Sequence, residues 1–232
     1  MLYGIRDIRP MFPLERRVTV VCGHYGTGKT NLSINLALEC ARQGEDVTLV
    51  DLDVVNPYFR SADYADILTR SGVKVVGPNF ANTNLDTPSL PAAVRVVIAE
   101  GSRVIVDVGG DDAGATALGV YSRTLLESDP DVIYVVNKYR SMTTHADEAV
   151  QILREIEATS HLRATCIANN SHLKQDTTEK TIIDSMGFAE EVADATGLPL
   201  RFTTAPRGLD FTLLNKIENI HPVDVLVRAP WE

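Results

Sequence analysis

The chain has 232 residues, of which 44% are hydrophobic and 23% charged, proportions typical of a folded globular protein rather than a disordered or fibrous one. Its formal net charge of -9 at pH 7 disfavours binding along DNA or to an anionic lipid surface, where clustered lysine and arginine supply the attraction. This length suits one undivided α/β domain, so we predict a single domain over residues 1–232.

The cysteine usage and the N-terminal segment bear on the compartment. Cys22, Cys40 and Cys166 form no CxxC or CxC pair, which argues against a disulfide framework and a thiolate metal site. We expect these side chains to be buried as small apolar residues. No apolar run approaches the roughly 20 residues that span a bilayer, and residues 1–17 carry charges and proline where a secretory signal needs an apolar core. We therefore expect a cytoplasmic protein.

Short apolar, β-branched segments alternate with helical patterns along the chain. Such alternation predicts an α/β fold, a doubly wound and mostly parallel sheet of about seven strands with helices on both faces. The predicted strands lie at residues 17–23, 46–53, 73–77, 102–110, 132–138, 164–170 and 198–206.

Two of the intervening segments have clear helical periodicity. Residues 29–44 are apolar on most sides and end at Gly44, and residues 146–158 repeat apolar side chains at spacings of three and four. Residues 78–91 are rich in asparagine and proline and have neither period, which predicts a long loop. Loops of that length in compact domains tend to be functional or mobile.

Residues 23–30 match the pattern GxxxxGK[ST], after a predicted strand and at the start of a predicted helix, which is the context this motif requires. Glycines let the backbone curl so that several N–H groups and the positive helix end face one point, which holds a polyphosphate with few cations. Lys29 would contact the β and γ phosphates and Thr30 would bind magnesium. The alternative is a glycine turn with an exposed lysine. The predicted nucleotide-binding residues here are Gly23, His24, Tyr25, Gly26, Thr27, Gly28, Lys29, Thr30 and Asn31.

Acidic residues close the second predicted strand at Asp51 and Asp53. Side chains two residues apart on a strand point to the same face, so both carboxylates are expected beside the glycine-rich loop. One could hold magnesium through water while the other orients an attacking water. Alternatively, one of them caps the following turn at residues 54–57.

The fourth predicted strand ends at Asp107, followed by Gly109 and Gly110, which is the Walker B arrangement. Asp107 would reach magnesium through water. A free N–H of Gly109 or Gly110 could sense the γ phosphate and move when it leaves. An ordinary turn from strand to helix would also use these glycines.

With these motifs in this order over nearly the whole chain, the sequence resembles the MinD and ParA group of P-loop ATPases. That group also includes dethiobiotin synthetase and the nickel-related CooC proteins, and its loop usually reads KGGxGKT, which aligns with residues 24–30. The resemblance implies a P-loop NTPase fold with ATP and Mg2+ as cofactors. It also implies that Lys29 and Asp53 are catalytic, with Asp53 orienting water, and that Asp51 and Asp107 support magnesium beside Thr30.

One loop position departs from the group. The extra lysine, which in many members reaches across a dimer interface to the partner's phosphate, is His24 here. An imidazole is shorter and mostly uncharged at neutral pH, so it does not reproduce a fixed ammonium. A nucleotide-dependent homodimer is therefore an open expectation. Arg60, Lys138 and Arg140 are alternative sources of that charge, and His24 could serve only as a loop residue that makes a backbone hydrogen bond.

For the base, the resemblance points to Asn169, with Asn170 as its neighbour, and to Pro206 followed by Arg207. A rival is residues 137–140, which begin like the guanine-reading NKxD motif but carry arginine in place of the aspartate. Without that acceptor, guanine loses its discriminating contact, which favours ATP over GTP. Residues 171–177 follow the Asn169 strand and could line a partner site at the same edge.

Three functions fit these features. The first is a magnesium-dependent switch that binds and hydrolyses ATP and acts on a protein partner, with residues 54–71 and 107–120 as moving parts. The second is a small-molecule ligase or kinase similar to dethiobiotin synthetase, with residues 78–91 binding the substrate. The third is a spatial organiser of membranes or DNA, which the acidic charge and the poorly basic segment 211–225 disfavour.

Overall fold

The structure is a computed structural model that describes residues 14–53, 62–77 and 90–227. Eight strands form one sheet in which every described pair is parallel. The strands are β1 (Val18–Cys22), β2 (Val47–Asp51), β3 (Lys74–Val76), β4 (Arg103–Asp107), β5 (Asp131–Val136), β6 (Cys166–Asn169), β7 (Leu200–Pro206) and β8 (Ile220–Val223).

Seven helices connect these strands within the described ranges. They are α1 (Lys29–Arg42), α2 (Ala62–Arg70), α3 (Leu90–Glu100), α4 (Asp112–Gly119), α5 (Ser122–Glu127), α6 (Ala146–Ser160) and α7 (Glu179–Thr196). The strand order is β3-β2-β4-β1-β5-β6-β7-β8, so the chain runs from β1 to the edge strand β3, returns to β4 beside β1, and then continues outward on the other side from β5 to β8. The predicted fold class is confirmed, and the sheet has one strand more than the number expected.

The additional strand, β8, lies at the edge of the sheet, where it pairs with β7 from Thr203 opposite Ile220 to Pro206 opposite Val223. It has only four residues and contains His221 and Pro222. Neither alternation nor β-branched content therefore identifies it in the sequence. Its proline, which lacks an N–H, is compatible with an edge position.

Apolar side chains cover both faces of the sheet. Neighbouring residues of a strand point to opposite faces, and accordingly Val21 packs in a core with Leu32 and Leu36 of α1. Val20 belongs to the opposite core, together with Leu153 of α6. Helices α1 and α2 cover the first face, and helices α3 to α7 contribute to the second. Each fully buried aliphatic side chain of this kind contributes about 1.5 to 3 kcal/mol, so the central strands are held from both sides.

Several expectations fall partly outside the described residues. The predicted loop at 78–91 does so except for its last two residues, which begin α3. The turn at 54–57 and Arg60 also lie outside, and the single domain over 1–232 stays a prediction. No helix in the ranges that the structure describes is long and apolar enough to cross a membrane.

The three cysteines are free and buried, as predicted. Burial raises the pKa of Cys40 and Cys166 to about 11. Thiols with such a pKa are almost fully protonated at neutral pH and are therefore poor nucleophiles and metal ligands.

Candidate functional site

A cavity of about 280 Å3 lies at the carboxyl edge of the sheet, beside the loop that joins β1 to α1. Strands β1, β2 and β4 are adjacent and parallel, so the residues that follow them meet at this edge. The cavity is lined by Tyr25, Gly26, Gly28, Lys29, Thr30, Asn31, Asp53, Gly110, Arg140, His172, Lys174, Val225 and Val227.

Two glycines permit the close packing of this loop. Gly28 has φ 87°, a left-handed conformation, and a β carbon there would collide with the side-chain amide of Asn170. At Gly110, a β carbon would lie 2.6 Å from Lys29 Nζ and 2.7 Å from the backbone nitrogen of Tyr25. Only glycine therefore lets the turn after β4 approach the loop and its lysine.

Lys29 is buried, with 6% of its surface exposed, which contradicts the alternative of a glycine turn with an exposed lysine. Its Nζ donates to the carbonyl of His24 at 2.9 Å, and the hydroxyl of Thr27 donates to the same carbonyl. Burial lowers the pKa of Lys29, while the carboxylates of Asp107 and Asp53 act in the opposite direction. A buried ammonium held near carboxylates is well placed for an anionic ligand.

Asp107 is 4% exposed and accepts hydrogen bonds from Ser33, at 3.0 Å, and from Thr30. Burial, and after it the nearby carboxylate of Asp51, which is its partner in the β2 and β4 register, raises the pKa of Asp107 to about 7. Two adjacent carboxylates and a hydroxyl are oxygen ligands of the kind that Mg2+ prefers, directly or through water.

The magnesium site predicted from the sequence would also need ligands from the nucleotide. Within the described parts of the chain, no group of three or more His, Cys, Asp or Glu side chains could hold a metal ion alone. Magnesium usually keeps several waters and shares phosphate oxygens, so Thr30, Asp51 and Asp107 suit a metal that arrives with a polyphosphate. Asp51 also accepts from the backbone N–H of Asp53 at 2.8 Å, which fixes the position of that residue.

Asp53 lies in the cavity lining and faces the turn after β4, where a β carbon on Gly109 would lie 3.3 Å from its Oδ1. The same turn ends at Asp111, which accepts from the N–H of Gly114 at 2.8 Å and caps α4. The structure therefore brings Lys29, Asp53 and Gly110 together, as the sequence predicted.

The residues predicted to bind the base are placed elsewhere. The amide of Asn169 donates to Ser185 Oγ of α7 at 2.9 Å. Asn170 instead supports the loop, because its amide donates to the carbonyl of Thr27 at 2.6 Å. Pro206 is buried at the end of β7. The N–H of Arg207 donates to the carbonyl of Val223 at 3.0 Å. None of these four side chains lines the cavity, and their contact with a base stays a prediction.

Asn31 lines the cavity and fastens the segment after β8 to α1. Its Nδ2 donates to the carbonyl of Asp224, and its Oδ1 accepts from the N–H groups of Leu226 and Val227. Asn35 exchanges two further hydrogen bonds with the backbone of Asp224. Val225 and Val227 thereby form an apolar wall of the cavity.

The position of Val225 and Val227 in the cavity lining was not predicted from the sequence. The available signal was the pair of asparagines four residues apart in a helix predicted to be apolar on most sides, because buried amides require partners. That signal predicts a bound backbone segment but does not say which one, since the partner lies about 190 residues away along the chain.

Arg140 and His172 reach the cavity from the turns after β5 and β6. A β carbon on Gly26 would lie 3.6 Å from Arg140 Cδ, so the arginine covers the loop. Lys138, by contrast, donates to the carbonyl of Asp184 on α7. His24 contributes its carbonyl to the loop, and its imidazole is not part of the lining. Of the two alternative cations that the structure describes, Arg140 lies at the loop and Lys138 does not.

A loop between the first strand and helix of a parallel sheet, with a buried lysine and with carboxylates after two neighbouring strands, defines a P-loop NTPase. Residues 18–182 match the model of the CobQ/CobB/MinD/ParA nucleotide binding domain. The chain belongs to this family, which confirms the resemblance to the MinD and ParA group. No curated protein sequence matches the chain.

Several solved structures share the fold. The cell division protein FtsY of Thermotoga maritima is 20% identical, with a TM-score of 0.55 over 87% of this chain and 66% of that one. FtsY from the chloroplast of Physcomitrella patens is 20% identical, with a TM-score of 0.55 over 83% of this chain and 59% of that one. The signal recognition particle 54 kDa protein of Aeropyrum pernix, in complex with GDP, is 18% identical, with a TM-score of 0.57 over 89% of this chain and 45% of that one. The chain thus spans between 45% and 66% of these proteins.

His172 makes the stability of the nucleotide-free protein depend on pH. Burial, together with Arg140 and Lys174, lowers the pKa of His172 from 6.5 to about 4. Between these values the unfolded chain binds a proton that the folded protein excludes, so the free energy of unfolding falls as the pH falls. Since each tenfold change in proton affinity is worth about 1.4 kcal/mol, we expect a loss of about 2 to 3 kcal/mol from this residue.

The measurement is urea unfolding of wild type and His172→Gln at several values between pH 7 and pH 4.5. Glutamine does not titrate, so the variant should lose less stability over this range than the wild type. Parallel curves for the two proteins would contradict the prediction, because other titrating groups are shared.

Proposed function

We propose that this protein is a magnesium-dependent switch that binds and hydrolyses ATP and acts on a protein partner in the cytoplasm. The observation that carries the proposal is the meeting of the buried Lys29, Asp53 and the Gly110 turn at one cavity. A cation, a carboxylate and a nearby backbone turn are the groups needed to hold a triphosphate, orient water and respond to the loss of a phosphate.

The preference for ATP is supported by the turn at residues 137–140 and by Val225 and Val227. Residue 140 is arginine where the NKxD pattern has aspartate, so the turn lacks the carboxylate that would accept from the N–H groups of guanine. Asn137 of the same pattern accepts from the backbone N–H of Tyr139 at 3.0 Å and donates to the carbonyl of His172. Val225 and Val227 add an apolar surface suited to a purine ring.

The proposed hydrolysis uses the roles that the resemblance to the MinD and ParA group implies. Thr30 and Asp107 would hold magnesium against the phosphates, and Lys29 would neutralise charge on the β and γ groups. A water oriented by Asp53 attacks the γ phosphorus, and the bond from that phosphorus to the bridging oxygen breaks. ADP and inorganic phosphate leave, and the water proton passes to phosphate or solvent.

The switch itself is supported by the packing of the turn after β4. Gly110 lies against the loop and Lys29, and the turn continues through the cap at Asp111 into α4. Helix α4 packs on α6, so a shift of the turn would also move the contact between these two helices. The net charge of -9 favours a protein partner over nucleic acid or membrane. A nucleotide-dependent homodimer is a further possible state of this switch.

The first test is calorimetric titration of the wild type with ATP, ADP and GTP, each with and without magnesium. We expect ATP with magnesium to bind at least about 10-fold more tightly than GTP, since the NKxD aspartate that would accept from the N–H groups of guanine is missing and these donors would stay unpaired. Equal or tighter binding of GTP would reject the assignment of ATP.

The second test concerns the switch and uses limited proteolysis with ADP or with a nonhydrolysable ATP analogue. Protection should differ between the two states at residues 62–71 and 107–120. Identical cleavage patterns would remove the switch and leave only nucleotide binding.

A further inference from the structure

Arg140 lies over the nucleotide loop of its own chain. Its Cδ and Nε are 3.6 and 3.7 Å from the β-carbon position of Gly26, at the centre of the loop. Its Nε is buried and has no hydrogen-bond partner among the described residues. Because an unpaired buried N–H costs about 1 to 3 kcal/mol, this donor is expected to be satisfied by a ligand that enters the cavity.

A second, independent observation concerns His172, which is 5% exposed and belongs to the same lining. Its Nδ1 accepts from the backbone N–H of Lys174, so the ring proton resides on Nε2. That Nε2 likewise has no hydrogen-bond partner in the described chain, and it lies 4.0 Å from the β-carbon position of Gly28. Two buried donors thus face the loop from one side.

The charges of the cavity lining favour the same kind of ligand as these two donors, an anion. The lining contains the cations Lys29, Arg140 and Lys174 and the single carboxylate Asp53, although the chain as a whole is strongly acidic. A cationic cavity in an acidic protein attracts an anion whose oxygens can accept several hydrogen bonds. A polyphosphate has this chemistry, whereas a neutral metabolite does not.

We propose that Arg140 contacts the polyphosphate of the nucleotide bound to its own chain, and so supplies in cis the charge that a loop lysine supplies across a dimer interface in many members of the group. The inference rests on the proposed nucleotide binding. His24, which occupies the lysine position, gives only its carbonyl to the loop. One chain then completes its own phosphate site, and a second copy is not needed for tight binding.

The test compares Arg140→Ala, Arg140→Lys and the matched control Lys138→Ala, whose ammonium is held by Asp184 on α7. The probes are ATP with magnesium and inorganic tripolyphosphate as a competitor, which reports on the phosphate contacts alone. Arg140→Ala should weaken the binding of ATP and the binding of tripolyphosphate by about 10- to 100-fold each, because charge-assisted hydrogen bonds are lost. Arg140→Lys should recover part of the loss, and Lys138→Ala should bind like the wild type.

Each result separates this inference from the function on which it rests. Unchanged ATP affinity in Arg140→Ala would overturn the inference while leaving nucleotide binding in place. A loss for ATP without a loss for tripolyphosphate would also overturn it, since Arg140 would then serve the base or sugar. A wild type with no affinity for any nucleoside triphosphate would remove the proposed function, and the inference with it.

Mixing two variants distinguishes action in cis from action in trans. Lys29→Ala has a defective site but an intact Arg140, and Arg140→Ala has the reverse. If Arg140 acts in cis, an equimolar mixture should bind a fluorescent ATP analogue no more tightly than Arg140→Ala alone. Restoration of tight sites in the mixture would show that Arg140 acts across an interface and would overturn the proposal.

Discussion

Replacing Lys29 by alanine is expected to weaken the binding of ATP with magnesium by about 100- to 1000-fold, because the variant loses a buried charge-assisted contact. The fold should survive this change. The carbonyl of His24 that accepts from Lys29 also accepts from the hydroxyl and the N–H of Thr27, so no buried acceptor is left unpaired. Burial lowers the pKa of Lys29, so removal of the ammonium also relieves a desolvation cost.

Calorimetric titration measures this loss, and circular dichroism with thermal unfolding checks the fold. Lys138→Ala is the control for removal of one positive charge near the site, since its ammonium points to α7. If Lys29→Ala bound ATP within about threefold of the wild type, the loop would not be the phosphate site, because a direct contact to phosphate is worth more than this.

Replacing Asp53 by asparagine should slow ATP hydrolysis by about 100-fold or more while ATP affinity changes by less than about threefold. Asparagine preserves the size of the side chain and removes the carboxylate that would orient the attacking water. Asp51 continues to accept from the backbone N–H of residue 53, so the position of the side chain is kept. The expected effect therefore falls on turnover rather than on binding.

Single-turnover hydrolysis, measured with saturating enzyme and magnesium, isolates this step from product release. Asp112→Asn removes an exposed carboxylate from the first turn of α4, outside the cavity lining, and serves as the control. If Asp53→Asn hydrolysed ATP as fast as the wild type, Asp53 would not be the residue that orients the attacking water. A parallel loss of affinity would instead make Asp53 part of the binding site for the nucleotide or its metal.

The central fold and the side of the cavity formed by the loop and the acidic residues could be predicted because their signals are local in sequence. The strand that ends at Cys22 is apolar except for Thr19, and Lys29 follows it at a spacing set by the loop itself. Asp107 is the last residue of β4 and Asp53 lies two residues beyond the end of β2, and the adjacency of these parallel strands brings both beside the loop. The positions of these residues could therefore be predicted without knowing how distant parts of the chain pack.

The opposite side of the cavity depends on long-range packing and could not be predicted in the same way. Val225 and Val227 reach it only because β8 adds to the sheet edge and Asn31 fastens the segment behind it. Arg140 was one of three alternative cations, and only its position in space separates it from Lys138. Local sequence signals do not say which of two equally polar turn residues will face inward.

The same limit affected the predicted contact with the base. The resemblance implies that Asn169 contacts the base; in the structure the hydroxyl of Ser185 on α7 accepts from its amide, and the contact with a base stays a prediction. Its neighbour Asn170 points the other way and supports the loop. Consecutive strand residues face opposite sides, so a shift of one position exchanges a site residue for a residue of the core.

The asparagine clasp on α1 sets a fixed distance between two parts of the cavity. Asn31 directly follows Thr30, and the five hydrogen bonds that Asn31 and Asn35 make to residues 224–227 tie Val225 and Val227 to the same helical turn. These hydrogen bonds therefore fix the distance between Thr30 at one end of the cavity and the valines at the other. A ligand that touches both ends but has a different span would have to break them in order to fit.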